Sequence, residues 1–261
     1  MLRLYKNTYI MFKVSPYKLK MFETCPLQYK FTYIDFLSDE YKKAKPYLTM
    51  GAHVHNALHD FYDKVKTADR TWEKLEELLR KRWTENRNGF ADKEDEKKWG
   101  MKALQMLKIY FNKHDVKKTP AMLEDYYDMD VDNDLKVLGR IDRVDKDEEG
   151  YHVIDYKTGK FDEEDISDMQ LVVYAMIMSH NMKVPVYKAS YLYLQNNKWH
   201  SINISEDDFQ DSVDQIKEKV EKIKQEKEFA PRINKYCKSC DYIEICPKKK
   251  EIEEMMEKKE L

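Results

Sequence analysis

Glycine is scarce in this chain. Six glycines in 261 residues make about 2%, against roughly 7% in an average protein. Collagen-like repeats are excluded. So are the Gly-rich phosphate cradles: the sequence has neither a Gly-x-x-x-x-Gly-Lys loop nor a Gly-x-Gly-x-x-Gly fingerprint. Long apolar runs are missing as well; none approaches the ~20 residues a membrane span needs. Residues 1–20 lack a signal-peptide core and a small-residue cleavage site, so a cytoplasmic protein is expected. No charge dominates either, with 47 Lys and Arg against 49 Asp and Glu for a net charge of −2. A wholly basic nucleic-acid coat is thereby excluded, and any DNA surface must be a local patch. Internal repeats, Ser/Gly linkers and low-complexity tracts are absent. Cysteine is limited to Cys25, Cys237, Cys240 and Cys246. Four are too few for a disulfide scaffold at this length, and in a reducing compartment a clustered set points to a metal or redox site.

What is present suits a packed enzyme-sized domain. Hydrophobic residues make up 42% and charged residues 37%. Residues 15–34 read as a helix capped by Ser15 with Pro16 in its first position. Helices are also expected over residues 51–65, 71–87 and 93–113, where apolar side chains recur at helical spacing. The pattern changes after Pro120. Residues 121–131, 135–145 and 151–157 read as strands, 163–180 as an apolar helix, and 186–194 with 199–204 as a hairpin. Residues 206–228 read as a Lys/Glu-rich helix opened by a Ser205/Asp208 capping box. The expected architecture is α/β, as one domain over residues 1–261. A helical N-terminal part (11–118) leads into an α/β core (119–204), then a helix and Cys-rich tail (205–261).

The densest chemistry lies between Gly139 and Lys160. Asp155 and Lys157 are two apart on a strand and share a face. If the strands carrying Asp142 and Asp155 pair, the two carboxylates meet. Neighbouring carboxylates repel unless a cation sits between them. Oxygen ligands of this kind suit Mg²⁺ or Mn²⁺, and a lysine beside them can stabilise phosphate charge or position a water. Solvated strand charges are the bland alternative, but Leu138, Ile141, Val153 and Ile154 flank these acids, and charges in apolar strands need partners. His53, His55 and His59 crowd one helix, yet HVHNALH lacks the glutamate of H-E-x-x-H, so a zinc-protease reading fails. For the cysteines, Cys237-x₂-Cys240-x₅-Cys246 with distant Cys25 fits either tetrahedral zinc or an iron–sulfur cluster.

Four ordered motifs then carry a resemblance. Gly51-x-x-x-His55, Gly139-Arg-Ile-Asp142-Arg, Asp155-Tyr-Lys157 and Gln170-x-x-x-Tyr174 resemble those of RecB-like PD-(D/E)xK nucleases. Cys25-Pro26 and the C-terminal Cys237, Cys240, Cys246-Pro247 set resemble the iron–sulfur variant, which includes the AddB C-terminal nuclease and small CRISPR-adaptation nucleases. The resemblance runs from Ser15 to Pro247. It leaves out residues 1–10, so Met1 and Met11 are both candidate starts. It implies a restriction-endonuclease-like core with a mixed central sheet flanked by helices. It also implies metal ligands His55, Asp142, Asp155 and the Tyr156 carbonyl, with Lys157 as the catalytic lysine. Glu124 is a further acidic candidate, and Gln170 and Tyr174 are expected to face the DNA. The implied cofactors are Mg²⁺ or Mn²⁺ and a structural 4Fe-4S cluster on the four cysteines.

The implied activity is metal-dependent hydrolysis of DNA, as an exonuclease on single-stranded or end-containing substrates. One alternative is an end-trimming subunit of a helicase–nuclease or CRISPR-adaptation complex; another is a DNA-binding module with structural metal. A ferredoxin-like electron carrier is disfavoured, because one cysteine is so distant and the acidic site would be idle. A homo-oligomer is compatible with the family, though no seam in the sequence marks one, and no membrane partner is expected. Lys18, Lys20 and Lys30 near Cys25, and Lys235, Lys238 and Lys248 to Lys250 near the other cysteines, form two basic groups for phosphate contacts. Tyr17, Tyr29, Phe31 and Tyr33 are candidates for base stacking, with core packing as the competing role.

Overall fold

The computed structural model describes residues 11–163, 166–259 and 261. The choice between Met1 and Met11 turns on residues 1–10, which lie outside the described residues. The chain begins with β1 (Phe12–Val14), α1 (Pro16–Thr24), α2 (Pro26–Tyr33) and the short α3 (Ser38–Tyr41). Next come α4 (Pro46–Asp63), α5 (Trp72–Glu85) and α6 (Lys93–Lys113). Three strands follow: β2 (Met122–Asp130), β3 (Leu135–Lys146) and β4 (Tyr151–Lys157). Then come α7 (Asp168–Met182), β5 (Val186–Tyr193), β6 (Lys198–Asn203), α8 (Glu206–Gln225) and α9 (Lys249–Glu257).

The expected helix over 15–34 is two helices. Pro26 lacks an N–H and disfavours a helical residue before it. Cys25 accordingly takes an extended conformation (φ −158°, ψ 105°) at the break. Ser15 does cap α1, accepting from the Lys18 N–H, and the Ser205/Asp208 capping box opens α8. The helix expected over 51–65 starts earlier, at Pro46, whose fixed φ suits a first helical position. The described part of the helix expected over 163–180 begins at Asp168; Glu164 and Asp165 of that expectation lie outside the described residues.

The six strands form one mixed sheet in the order β1-β3-β4-β5-β6, with β2 on the other edge of β3. A strand from the N-terminal part is therefore built into the sheet, which a purely helical reading of residues 11–118 did not foresee. Both faces are covered. Val137, Val144, Val153 and Ala189 pack with Leu171 and Ile177 of α7 and Ile216 and Val220 of α8. On the other face Ile154, Tyr156 and Leu192 pack with Val54, Leu58 and Phe61 of α4 and with Leu75 and Leu107 of α5 and α6. Strands buried on both faces explain the apolar residues that flank the acids in sequence. The α/β fold with a mixed sheet flanked by helices is as expected.

β3 is the hub. One edge pairs antiparallel with β2 from Lys136 to Val144. The other edge pairs parallel with β1 over Leu135–Val137, then antiparallel with β4 over Arg143–Lys146. Between those two stretches, residues 138–142 have no strand partner on that edge among the described residues. β4 turns away and continues along β5 through Lys157. The sheet therefore opens into a fork.

His152 gives this fold a pH dependence. Its Nε2 lies 2.7 Å from Ser190 Oγ. Burial, with repulsion from Lys188, lowers its pKa from 6.5 to about 4. The folded state thus protonates below the unfolded chain. His152 leaves stability unchanged above pH 6.5 and costs stability as pH falls from 6.5 to about 4. A His152→Gln variant should lose less stability across that window, read as urea midpoints on its two sides. Equal losses in variant and wild type would show that other groups carry the acid sensitivity.

Candidate functional site

The candidate site sits where β3 and β4 separate. Arg143 and Ile154 form the last ladder pair, and Asp142 and Asp155 come next on the diverging strands. The Tyr156 N–H, which has left that ladder, donates to Asp142 Oδ2 at 2.7 Å. From α4, His55 Nδ1 lies 3.0 Å from Asp142 Oδ1. β2 brings Glu124 level with Asp142, since Leu123 and Asp125 pair with Arg143 and Ile141. His55, Glu124 and Asp142 each offer a ligand atom, all within 4.8 Å of one another.

Asp155 stands beside this trio and is not one of the three. Lys157 Nζ lies 2.7 Å from Asp155 Oδ2, an ion pair without hydrogen-bond alignment. The ammonium also sits 4.5 Å from the centre of the Tyr191 ring. Sequence reasoning placed Asp155 ahead of Glu124 as a ligand; in this arrangement Glu124 is the nearer partner of His55 and Asp142. The reason is register, which aligns β2 with β3 and was not legible before the strands were paired.

The electrostatics are those of a cation site. Burial pushes the Asp155 carboxyl up and Asp142 adds repulsion, against the pull of Lys157 and His55. Burial opposes a charge on His55, but Asp142, with Asp155 and Glu124, outweighs it and raises the imidazole. Asp155 Oδ2 is buried, and its one polar neighbour is the Lys157 ammonium, out of hydrogen-bond alignment. A buried carboxylate so placed, beside two further carboxylates and an imidazole, fits a divalent cation.

Two motif glycines serve close approach. A Cβ on Gly51 would stand 3.0 Å from Thr158 Oγ1, so glycine lets α4 lie against the end of β4. A Cβ on Gly139 would stand 3.0 to 3.2 Å from Ile177 and Tyr174, where α7 crosses β3. Gln170 Nε2 donates to the Tyr174 hydroxyl at 2.8 Å, and Tyr191 donates to Gln170 Oε1 at 3.0 Å. Burial, with Asp155 nearby, raises the phenol pKa of both tyrosines. The two α7 residues are thus joined, and Tyr174 is electrostatically coupled to the acids.

Sequence reasoning missed the supports beneath the site. Tyr191 props both Gln170 and Lys157. Under Tyr156 lies a buried chain in which the Tyr156 and Tyr110 hydroxyls are 3.1 Å apart and those of Tyr110 and Tyr62 2.8 Å. Arg143 donates to Tyr110 at 2.8 Å and to both Asp145 oxygens at 2.6 and 3.1 Å. Only the GRIDR run hinted at Arg143; isolated tyrosines give no signal in one sequence. The other two histidines are ordinary: His53 bonds the Asn86 carbonyl at 2.7 Å, and His59 sits 3.8 Å from Asp60.

The four cysteines gather around one cavity of about 530 Å³. Cys237 and Cys240 flank one tight turn, and Cys246 ends the next. The Arg232 N–H donates to Cys25 Sγ at 3.5 Å and the Asn234 N–H to Cys237 Sγ at 3.3 Å. Burial raises the Cys237 and Cys240 thiols. The tail is docked on the first helices: the Tyr242 hydroxyl lies 3.0 Å from Thr32 Oγ1 and 3.1 Å from Ser38 Oγ. Among the stacking candidates, Tyr29 is buried beside Phe22 and Tyr33, and Phe31 packs on Tyr242. Tyr17 alone of the four stays largely exposed. No helix of the described residues is long and apolar enough to cross a membrane.

No curated protein matches this chain. Among solved structures, "SSO0001" aligns at 24% identity over 49% of this chain and 60% of its own length, with a TM-score of 0.35. A "Putative exonuclease" from Eubacterium rectale aligns over 84% of this chain and 81% of its own, at 14% identity and a TM-score of 0.51, a likeness of fold. The sequence of residues 13–247 matches the PD-(D/E)XK nuclease superfamily, and with its carboxylate–lysine pair at the sheet fork the chain belongs to that superfamily.

Proposed function

We propose that this chain is a divalent-metal-dependent deoxyribonuclease of the RecB-like, iron–sulfur type, acting on single-stranded DNA or DNA with free ends. The observation that carries this reading is the trio of His55, Glu124 and Asp142 beside the Asp155–Lys157 pair. His55, Asp142, Asp155 and the Tyr156 carbonyl would hold Mg²⁺ or Mn²⁺, with Glu124 completing the set. The bound ion supplies Lewis acidity at the phosphate and lowers the pKa of the attacking water. The chain's own part is to hold the reacting groups. His55 and the Tyr156 N–H fix the Asp142 carboxylate from two sides. Lys157 brings an ammonium to the phosphate, anchored by Asp155 and the Tyr191 ring. Gln170 and Tyr174 present an amide and a phenol to the strand being cut.

The cysteines fit a 4Fe-4S cluster. Thiolate ligands and N–H donors to sulfur are what such clusters require, and the cavity supplies both. A mononuclear zinc tetrathiolate is the rival occupant, and iron and sulfide content of the purified protein decides between the two.

The test starts with protein purified without oxygen. End-labelled single-stranded DNA, linear duplex and circular duplex are incubated with Mn²⁺, Mg²⁺ or EDTA. Loss of linear but not circular DNA, only with metal, is expected. Cutting of circles would replace the exonuclease reading with an endonuclease. Binding without cleavage in every condition would favour the binding-module alternative.

A further inference from the structure

The fork has a second consequence, on the side where β3 lacks a strand partner. A groove of about 310 Å³ opens there, walled by the start of α1, by β2 and by β3. Tyr17 and Tyr126 line it and are 66% and 75% exposed. Large aromatic rings so bare on one groove are unusual unless they meet a partner. Tyr126 pairs with Arg140 across β2 and β3, and the guanidinium stands 5.5 Å from its ring centre. Glu124 engages Nη2 of Arg140; Nε and Nη1 have no acceptor among the described residues.

Two side chains of this groove link it to the candidate site. Arg140 and Tyr174 belong to its lining, Arg140 holds Glu124 of the ligand trio, and Tyr174 is joined to Gln170. Resting on the nuclease reading, we propose that the groove is the track of an unpaired DNA strand, with Tyr126 and Tyr17 stacking on successive bases and Arg140 binding a backbone phosphate. The rings decide for a single strand. Base faces are open to an aromatic side chain only where the bases are unstacked and unpaired, and a duplex hides them along its length. Stacking also implies little sequence preference, because every base offers a face.

The test separates binding from cutting by using a Lys157→Ala background that leaves DNA intact. Fluorescence anisotropy is read with a labelled oligo(dT) and with a blunt hairpin duplex. Tyr126→Ala and Tyr17→Ala should each weaken oligo(dT) binding by about tenfold and change duplex binding by less than about twofold. Tyr126→Trp should restore the affinity, as a stacking role demands. Phe36→Ala removes an aromatic ring that is 78% exposed outside the groove and should change nothing. Unchanged oligo(dT) binding in both alanine variants would overturn the inference. So would equal losses on duplex and single strand, or failure of tryptophan to rescue. If the wild type binds oligo(dT) through these tyrosines but cuts no DNA under any metal condition, the nuclease reading fails and the groove stands.

Discussion

Asp142→Asn is expected to lower the rate of metal-dependent DNA cleavage by about a thousandfold, the scale of losing one preorganised electrostatic group at a reacting centre. Two supports converge on Asp142, the Tyr156 N–H and the His55 ring, and Glu124 stands beside it as a further acidic ligand. The asparagine carbonyl keeps an acceptor for the Tyr156 N–H, so the fold is retained, but the charge that holds a cation is gone. Lys157→Met should reduce the rate by a similar factor, for a different reason. It removes the ammonium while leaving Asp155 in place. Combining the two should cost far less than the product of the single losses, because groups that act as one unit are non-additive. Initial rates on end-labelled single strands, with thermal melting in parallel, provide the readout. Wild-type rates in either properly folded variant would remove the fork as the site of chemistry.

The second large effect concerns stability. Cys25→Ser is expected to lower the melting temperature by about 10 °C. Between Cys25 and Cys237 lie 211 residues of sequence, and a ligand group joining them closes that loop in the unfolded chain. Cross-linking a loop of this size is worth about 5 kcal/mol, and each kcal/mol moves a domain of this length by roughly 2–4 °C. The effect adds to lost packing, since Arg232 and Asn234 bridge from the tail to the end of α1 near Cys25. Iron and sulfide content and scanning calorimetry on anaerobic protein make the measurement. Iron-loaded wild type that melts with the variant would overturn the staple. Zinc in place of iron would keep the staple and replace the cluster.

A cation at the fork reverses the local pKa logic. Without one, burial and Asp142 raise Asp155; with one, the carboxylates lose the cost of their mutual repulsion. The ligand trio and the Lys157 pair therefore belong to one electrostatic unit, whose members cannot be valued singly.

Much of this was legible in the sequence. Apolar residues on both sides of Asp142 and Asp155 marked strands buried on two faces, and the alternation from Leu135 to Lys157 set β3 and β4 within a residue or two. Ser205 and Asp208 marked the start of α8 because a capping box is a local hydrogen-bonding pattern. Asp142, Asp155 and Lys157 stood out from their strand positions, and His55, Gln170 and Tyr174 from a resemblance to the family's ordered motifs; the structure brings the six to one end of the sheet. Other features needed the third dimension. Pairing of β2 with β3 lifts Glu124 beside Asp142, and separation of β3 from β4 makes the fork. Tyr62, Tyr110 and Tyr191 became supports only when distant segments closed on them, and Tyr126 became half of an aromatic groove only when Tyr17 was laid across from it. Local sequence determined which residues form strands and helices, because propensity, capping and spacing act over a few residues. Tertiary structure alone decided their neighbours, because strand register and helix docking are set by burial summed over the whole chain.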